Sequence, residues 1–197
     1  CPSCRAQGPG TVTTAPAPAK IAPGSLFSNA TIAFIIVSKF VDGLPFYRQE
    51  RAFERFGLEL GRGTMARLAI KAASALSALS ELMLTHIRGS PVVRMDEITV
   101  QVLKEEGREP AAESRMWVAM GYRDGRPIVH FAYNPSRSGK VAQAILGPAF
   151  SGFLQTDGYS GYAAVGARAG VVHVGCWAHI RRKFIEVHKT QGSQAAM

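Results

Sequence analysis

Three cysteines in 197 residues are too few for a disulfide framework, and their scarcity points to a reducing cytoplasm. Long apolar runs are missing too. The longest, "ATIAFIIV" (Ala30 to Val37), falls well short of the roughly 20 residues that span a bilayer, and no basic-then-apolar leader opens the chain. Membrane partners are therefore not expected. No internal repeat or long low-complexity tract appears. Acidic residues are in short supply: 14 Asp and Glu stand against 23 Lys and Arg, for a formal net charge of +9. Such an excess favours acidic partners, nucleic acid first among them. With 47% hydrophobic residues the chain is globular, one ordinary domain or a core with a small N-terminal module.

The ends shape the organisation. The chain opens on "CPSC" without an initiating Met and closes on "QGSQAAM", so a fragment of a longer protein is expected, truncated at the C-terminus. Cys1 and Cys4 have the spacing of half a tetrahedral zinc site. No second pair follows, and Cys176 is too distant to complete it. Residues 1–8 thus read as a zinc-knuckle remnant, with Zn²⁺ expected only if further cysteines stood upstream. The Ala-Pro alternation of "TTAPAPAKIAPGS" favours extended geometry, so residues 9–27 read as a linker.

Residues 28–89 carry a helical pattern. Ser28 or Asn29 caps a helix through about Val41, and a second runs from roughly Phe46 to Phe56, offering Phe46, Phe53 and Phe56 to a core. After "GLELGRGT", Gly63 or Thr64 caps one long helix to about Ile87. Helix, glycine turn and helix, with Arg62 and Arg67 at the second start, is helix-turn-helix-like and suits DNA; a plain three-helix bundle gives the same pattern.

From residue 90 the period changes. "PVVRMDEITVQVL", "RMWVAMGYR" and "RPIVHFAYN" read as strands, the last two joined by the hairpin dipeptide "DG". A helix over "SGKVAQAILGPAF", a strand in "GFLQTDG", a short helix from Tyr159, a strand in "GVVHVGCW" and a basic helix from Ala178 to Lys189 follow. The order β-β-β-α-β-α-β-α predicts an α/β (α+β) fold: a mixed five-stranded sheet flanked by helices, with the first and fourth strands adjacent at its centre.

Two carboxylates stand out on this frame. Asp96 interrupts an apolar strand, where burial is costly unless the charge is paired, hydrogen-bonded or holds a cation. Arg94, on the same strand face, is its alternative partner. Asp157 ends the fourth strand before Gly158 and serves either as a turn residue or, beside Asp96, as a ligand of Mg²⁺ or Mn²⁺. Glu97 alternates to the other face and ranks lower.

The segments "LPFYRQERAFERFGLEL", "MDEITVQVL", "YNPSRSG", "LQTDGYSGY" and "VHVGCWAHIRRKF" together resemble the large transposase subunit (transposase C) of insertion-sequence-66-type bacterial elements, in order and at compatible spacings. That family belongs to the DDE transposases and integrases, whose catalytic core is ribonuclease-H-like. The resemblance implies such a core, incomplete, over residues 90–197. It places the first catalytic Asp on Asp96 and the second on Asp157, and it puts the third acid, a Glu, downstream of Met197. Glu186 matches no catalytic position. In the complete enzyme two divalent ions, roughly 3.5–4 Å apart, support in-line attack of water and then of a DNA 3′-hydroxyl on a phosphodiester. Transposition of an insertion sequence by a DDE-type polynucleotidyl transferase is the activity implied, and without the Glu these residues are expected to be nearly inactive. The implied partners are element terminal repeats and target DNA, further copies of the chain, and accessory transposition proteins, in a bacterial cytoplasm at the nucleoid. Arg94 stands where the family often has His, and Gly61, Arg62, Gly63 and Thr64 stand where it often has Ser-Arg-Ser-Thr.

"CWAHIRRKF" supports two readings. Cys176 and His179 have the spacing of soft metal ligands, to which His173 and His188 could be added; alternatively Cys176 ends a buried strand, Trp177 caps the core and His179 contacts phosphate or water near the carboxylates. Arg181, Arg182 and Lys183 suit phosphate-backbone contacts, against a solvated helix face. Tyr159 and Tyr162 either stack on bases or hold their helix to the sheet. A non-catalytic DNA-binding remnant and a ribonuclease-H-type nuclease are the competing functions.

Overall fold

The computed structural model describes residues 15–191. The zinc half-site of Cys1 and Cys4 and the first part of the linker lie outside the described residues. The chain forms two compact units that divide between Ser77 and Ala78.

The first unit is helical. Helix α1 (Asn29–Phe40) starts where the Ser28 hydroxyl accepts the Thr31 N–H, one of the donors a helix start leaves without an intrahelical partner. Helices α2 (Phe46–Arg55) and α3 (Arg62–Ala75) follow. Ile32, Ile35, Leu60, Met65, Leu68 and Ala72 form the buried core, with Phe46 and Phe53 against it. Gln49 is buried among them, and its amide donates to the carbonyls of Ile35 and Leu44.

Three expectations are corrected here. Phe56 is exposed because α2 ends at Arg55, before the helical period would turn Phe56 inward. Helix α3 is capped neither by Gly63 nor by Thr64. It begins at Arg62 after Gly61, and the Arg62 N–H is taken by the Glu50 carboxylate of α2 at 2.9 Å. An acid at a helix start satisfies an orphan donor and complements the dipole. The long helix to Ile87 is two helices: Leu76 is the C-cap of α3, its N–H still on the Ala72 carbonyl, Ser77 Oγ donates to the Ser74 carbonyl, and α4 spans Ser77–Arg88.

The second unit is built on a mixed sheet of five strands: β1 (Val92–Gln101), β2 (Glu113–Arg123), β3 (Arg126–Asn134), β4 (Gly152–Thr156) and β5 (Val171–Gly175). They lie in the order β3-β2-β1-β4-β5. The first three pair antiparallel and β4 and β5 add in parallel. Asp124 and Gly125 at the β2–β3 turn both have positive φ, the backbone that the "DG" pair suits. Helix α5 (Gly139–Leu146), a 3₁₀ turn (Ser160–Tyr162), the one-turn α6 (Ala163–Gly166) and α7 (Trp177–Gln191) complete the unit.

Side chains alternate across the sheet, so the two faces differ. Val93 and Met95 of β1, Trp117 and Ala119 of β2 and Leu154 of β4 are buried with Leu84 and Ile87 of α4, Ala142, Ile145 and Leu146 of α5, Tyr162 and Val165. On the opposite face, where the alternation places Asp96, Ile98, Phe131, Phe153 and Val172 remain exposed. One face is a core, the other is open.

His130 of β3 lies over the edge of the core, its Nδ1 3.4 Å from Ser80 Oγ. Burial pushes its imidazole below the ordinary value; Glu81 opposes the shift and Arg88 adds to it. The unfolded chain then binds the proton more readily than the folded one. Stability from this group is present above the ordinary histidine value of about 6.5 and is lost as the pH falls through that range. Thermal unfolding followed between pH 7.5 and 5 should show a falling midpoint, and His130→Gln should flatten the decline.

Candidate active site

The parallel register sets the geometry. Val92 of β1 stands opposite Phe153 of β4, Val93 opposite Leu154 and Arg94 opposite Gln155. Continued by two residues, that register brings Asp96 level with Asp157, just past the end of β4 and on the same face of the sheet. Each carboxylate has one oxygen engaged locally. Asp96 Oδ1 accepts the Glu97 N–H at 2.9 Å, and Asp157 Oδ1 accepts the Tyr159 N–H at 2.9 Å. The second interaction is the turn role that an Asp-Gly pair suggests; it leaves Oδ2 for another purpose.

Arg94 is not the partner of Asp96. Its guanidinium donates to the Tyr122 hydroxyl at 3.0 Å and lies over that ring. The group facing Asp96 is His179, whose Nε2 is 3.7 Å from Asp96 Oδ2. His179 belongs to the first turn of α7, which begins immediately after Cys176. Its ring holds the neighbouring Cys176 thiol below its ordinary pKa, yet buried Nδ1 has no hydrogen bond of acceptable geometry. The soft-metal reading finds no support. His173 Nε2 is tied to Thr156 Oγ1 at 2.7 Å, and among the described residues no group of three or more His, Cys, Asp or Glu side chains is placed to hold a metal ion. The core reading of this stretch is corrected as well: Trp177, the first residue of α7, is 77% exposed and takes no part in the core.

Asp157 and His179 line a cleft of about 340 Å³ with Arg137, Gly158, Tyr159, Arg182, Lys183 and Glu186. Three cations thus surround two acids. Of the basic run on α7, Arg182 and Lys183 face this cleft, while Arg181 is exposed and does not line it. Glu186, which the family pattern leaves without a role, is in the cleft wall. Arg62 and Arg67 lie in the helical unit, where Arg67 Nη2 donates to Thr64 Oγ1 at 2.9 Å.

Glu97 departs most from its sequence ranking. On the core face of β1 its side chain is only 1% exposed, and Arg137 reaches in to bind Oε1 from Nε at 2.8 Å and from Nη2 at 2.7 Å. The Tyr162 hydroxyl donates to Oε2 at 2.5 Å. Burial and then this carboxylate raise the Tyr162 pKa far above the ordinary phenol value, so the hydroxyl stays a donor. Tyr162 is fully buried and packs edge-on against Trp117 and Tyr159, which settles its role as a core residue. The Arg137 guanidinium lies 4.0 Å over the Tyr159 ring, and the Tyr159 hydroxyl donates back to the Arg137 carbonyl at 2.8 Å. Two glycines allow this approach. A Cβ on Gly139 would overlap the Gly161 carbonyl oxygen, and one on Gly161 would overlap the Tyr159 ring. The segments "YNPSRSG" and "LQTDGYSGY" therefore meet backbone to backbone. Arg137 was visible in the sequence only as part of that motif; its pairing with Glu97 across 40 residues was not.

Comparison with known proteins finds relatives over nearly the whole chain. Two proteins of Sinorhizobium fredii (strain NBRC 101917 / NGR234), the uncharacterized proteins y4jD and y4qI, are 35% and 34% identical over 99% and 94% of the chain. A third from the same strain, y4hP, is 25% identical over 97% of it. The chain spans about two fifths of the length of these relatives, 40%, 36% and 35% respectively. The family model described as "Transposase IS66 family" matches residues 24–197, which takes in the helices of the first unit and all of the second. The chain belongs to the IS66 transposase family.

Proposed function

We propose that the chain carries the DNA-handling helices and two of the catalytic acids of a DDE-type transposase, an enzyme that cleaves and joins DNA strands at the ends of a mobile element. The observation that carries this reading is the parallel β1–β4 register, Arg94 opposite Gln155, whose continuation by two residues pairs Asp96 with Asp157, the latter in the wall of a cation-lined cleft. The sheet order supports a ribonuclease-H-like core over residues 90–197, preceded by helices that present Arg62 and Arg67 to DNA.

The two carboxylates, each with an oxygen not engaged by the backbone, fit part of the oxygen shell of Mg²⁺ or Mn²⁺, which water and phosphate complete. Such a cation, when bound, neutralises charge at the reacting phosphate. Asp96 and Asp157 hold that charge at the end of the parallel pair. His179, 3.7 Å from Asp96, orients that carboxylate and offers a donor to a phosphate oxygen. Arg182 and Lys183 supply backbone affinity rather than sequence choice. The chain acts on DNA as a homo-oligomer with accessory transposition proteins, at the nucleoid of a bacterial cytoplasm. Among the described residues no single helix is long and apolar enough to cross a membrane.

A second reading, DNA binding without cleavage, is favoured by one observation: no third His, Cys, Asp or Glu joins the pair to form a metal cluster among the described residues. Both readings predict salt-dependent binding of the 197-residue chain to duplex DNA, with log K falling linearly against log salt concentration. For this chain alone, incubation with supercoiled plasmid and Mn²⁺ should yield almost no nicked circles. Efficient nicking that Asp96→Ala removes would overturn the assignment of the third acid to a position outside the described residues. Absence of any salt-dependent DNA binding would overturn both readings.

A further inference from the structure

We propose that Arg137 is a phosphate-gripping residue of the cleft, held in place by buried Glu97, and that it fixes a DNA backbone phosphate beside Asp157. The proposal rests on the DNA reading above. In the sequence "PSRSG" carries only the family resemblance. Glu97 is 1% exposed on the core face of β1, whereas the Arg137 side chain is 46% exposed and lines the cleft. The ion pair therefore runs from the core to the site.

A purely structural partner for Glu97 would be expected to bury its guanidinium. Here Nε and Nη2 are committed to Glu97 Oε1, while Nη1 has no hydrogen-bond acceptor among the described residues. The group is also stacked 4.0 Å over the Tyr159 ring, so its plane is set before any ligand arrives. The Glu97 hydrogen bond holds the Arg137 pKa above its ordinary value, which keeps the charge on. A planar, fixed guanidinium with an unused donor edge suits phosphate oxygens better than a mobile lysine would. Tyr159 ties the arrangement to the catalytic acid: its ring carries Arg137, its hydroxyl binds the Arg137 carbonyl, and its N–H binds Asp157 Oδ1. Arg182 and Lys183, which line the same cleft, add further cations for the phosphate backbone.

The experiment compares fluorescence anisotropy of a labelled duplex with the wild-type chain, with Glu97→Gln, and with the double variant Glu97→Gln/Arg137→Gln, from 50 to 300 mM salt. The double variant leaves no buried carboxylate without a partner and does not change the net charge of the chain. Loss of one phosphate contact should lower the slope of log K against log salt by about 0.9. Glu97→Gln alone keeps the cation and should keep the slope, with weaker binding because the guanidinium is released. In a parallel measurement on the wild-type chain, DNA should protect Arg137 from phenylglyoxal, as read by mass spectrometry; this holds even if a variant fails to fold. A double variant with the wild-type slope, or full Arg137 labelling in saturating DNA, would overturn the proposal and leave the DNA reading standing. A wild-type chain without salt-dependent binding would remove both.

Discussion

Trp117→Ala is expected to destabilise the sheet-bearing unit by about 3–5 kcal/mol. That is a large fraction of the roughly 5–15 kcal/mol that keeps a domain folded. Trp117 is 0% exposed and stands directly opposite Glu97 in the β1–β2 ladder. Its ring meets Tyr162 edge to face at 6.0 Å, and its indole N–H donates to the Ser136 carbonyl at 3.2 Å. Truncation thus opens a cavity in the core, strips the packing from the tyrosine that binds Glu97, and orphans the carbonyl next to Arg137. Denaturant unfolding should show the midpoint shift. Trp117→Phe should recover most of the packing while still lacking the Ser136 hydrogen bond. If Trp117→Ala unfolded within about 1 kcal/mol of the wild type, the core would not be organised around this residue.

On the proposed metal-site reading, replacing either aspartate is expected to have the second large effect, on metal binding rather than folding. Asp157→Asn keeps the shape of the side chain and an oxygen able to accept the Tyr159 N–H, but removes the charge. Asp96→Asn does the same on β1, where the side chain is 49% exposed, so little stability is at stake. Outer-shell partners of a metal typically cost about 10–100-fold in affinity when lost. A direct carboxylate ligand in a site with only two of them should cost at least the upper end of that range. Glu97→Gln tests the specificity of the effect: it removes a carboxylate one residue from Asp96 but on the other face of the sheet, and Mn²⁺ affinity should stay within a few-fold of the wild type.

The sheet was legible because its strands obey simple rules. Alternation in β1, the "DG" turn and the glycine-bounded strand before Asp157 mark its strands and the β2–β3 hairpin without any long-range information. The same alternation separates Asp96 from Glu97. Its limit is that a period of two says which residues share a face and nothing about which face is covered. Only the packing of Leu84, Ile145 and Tyr162 on the Val93–Met95 side makes Glu97 the buried acid and Asp96 the accessible one. The helical unit is less legible. Leu76 falls in a stretch of Ala, Leu and Ser whose helical period continues across the break, and the cap on α3 comes from Glu50, a residue on another helix. Such caps have no local sequence pattern. Arg137 escaped for a related reason: a long-range ion pair is visible only once α5 and the 160–162 turn are docked, with glycine at 139 and 161 letting the two backbones touch.

The central claim is that Asp96 and Asp157 act together, at the end of one parallel strand pair, as ligands of one hard cation. Electron paramagnetic resonance of free Mn²⁺, titrated into the 197-residue chain and into Asp96→Asn, Asp157→Asn and Glu97→Gln, tests it most directly. Loss of the free-ion signal to one site in the wild type and Glu97→Gln, with no such loss in either aspartate variant, is the result predicted. Equal Mn²⁺ uptake by the wild type and both aspartate variants would contradict it.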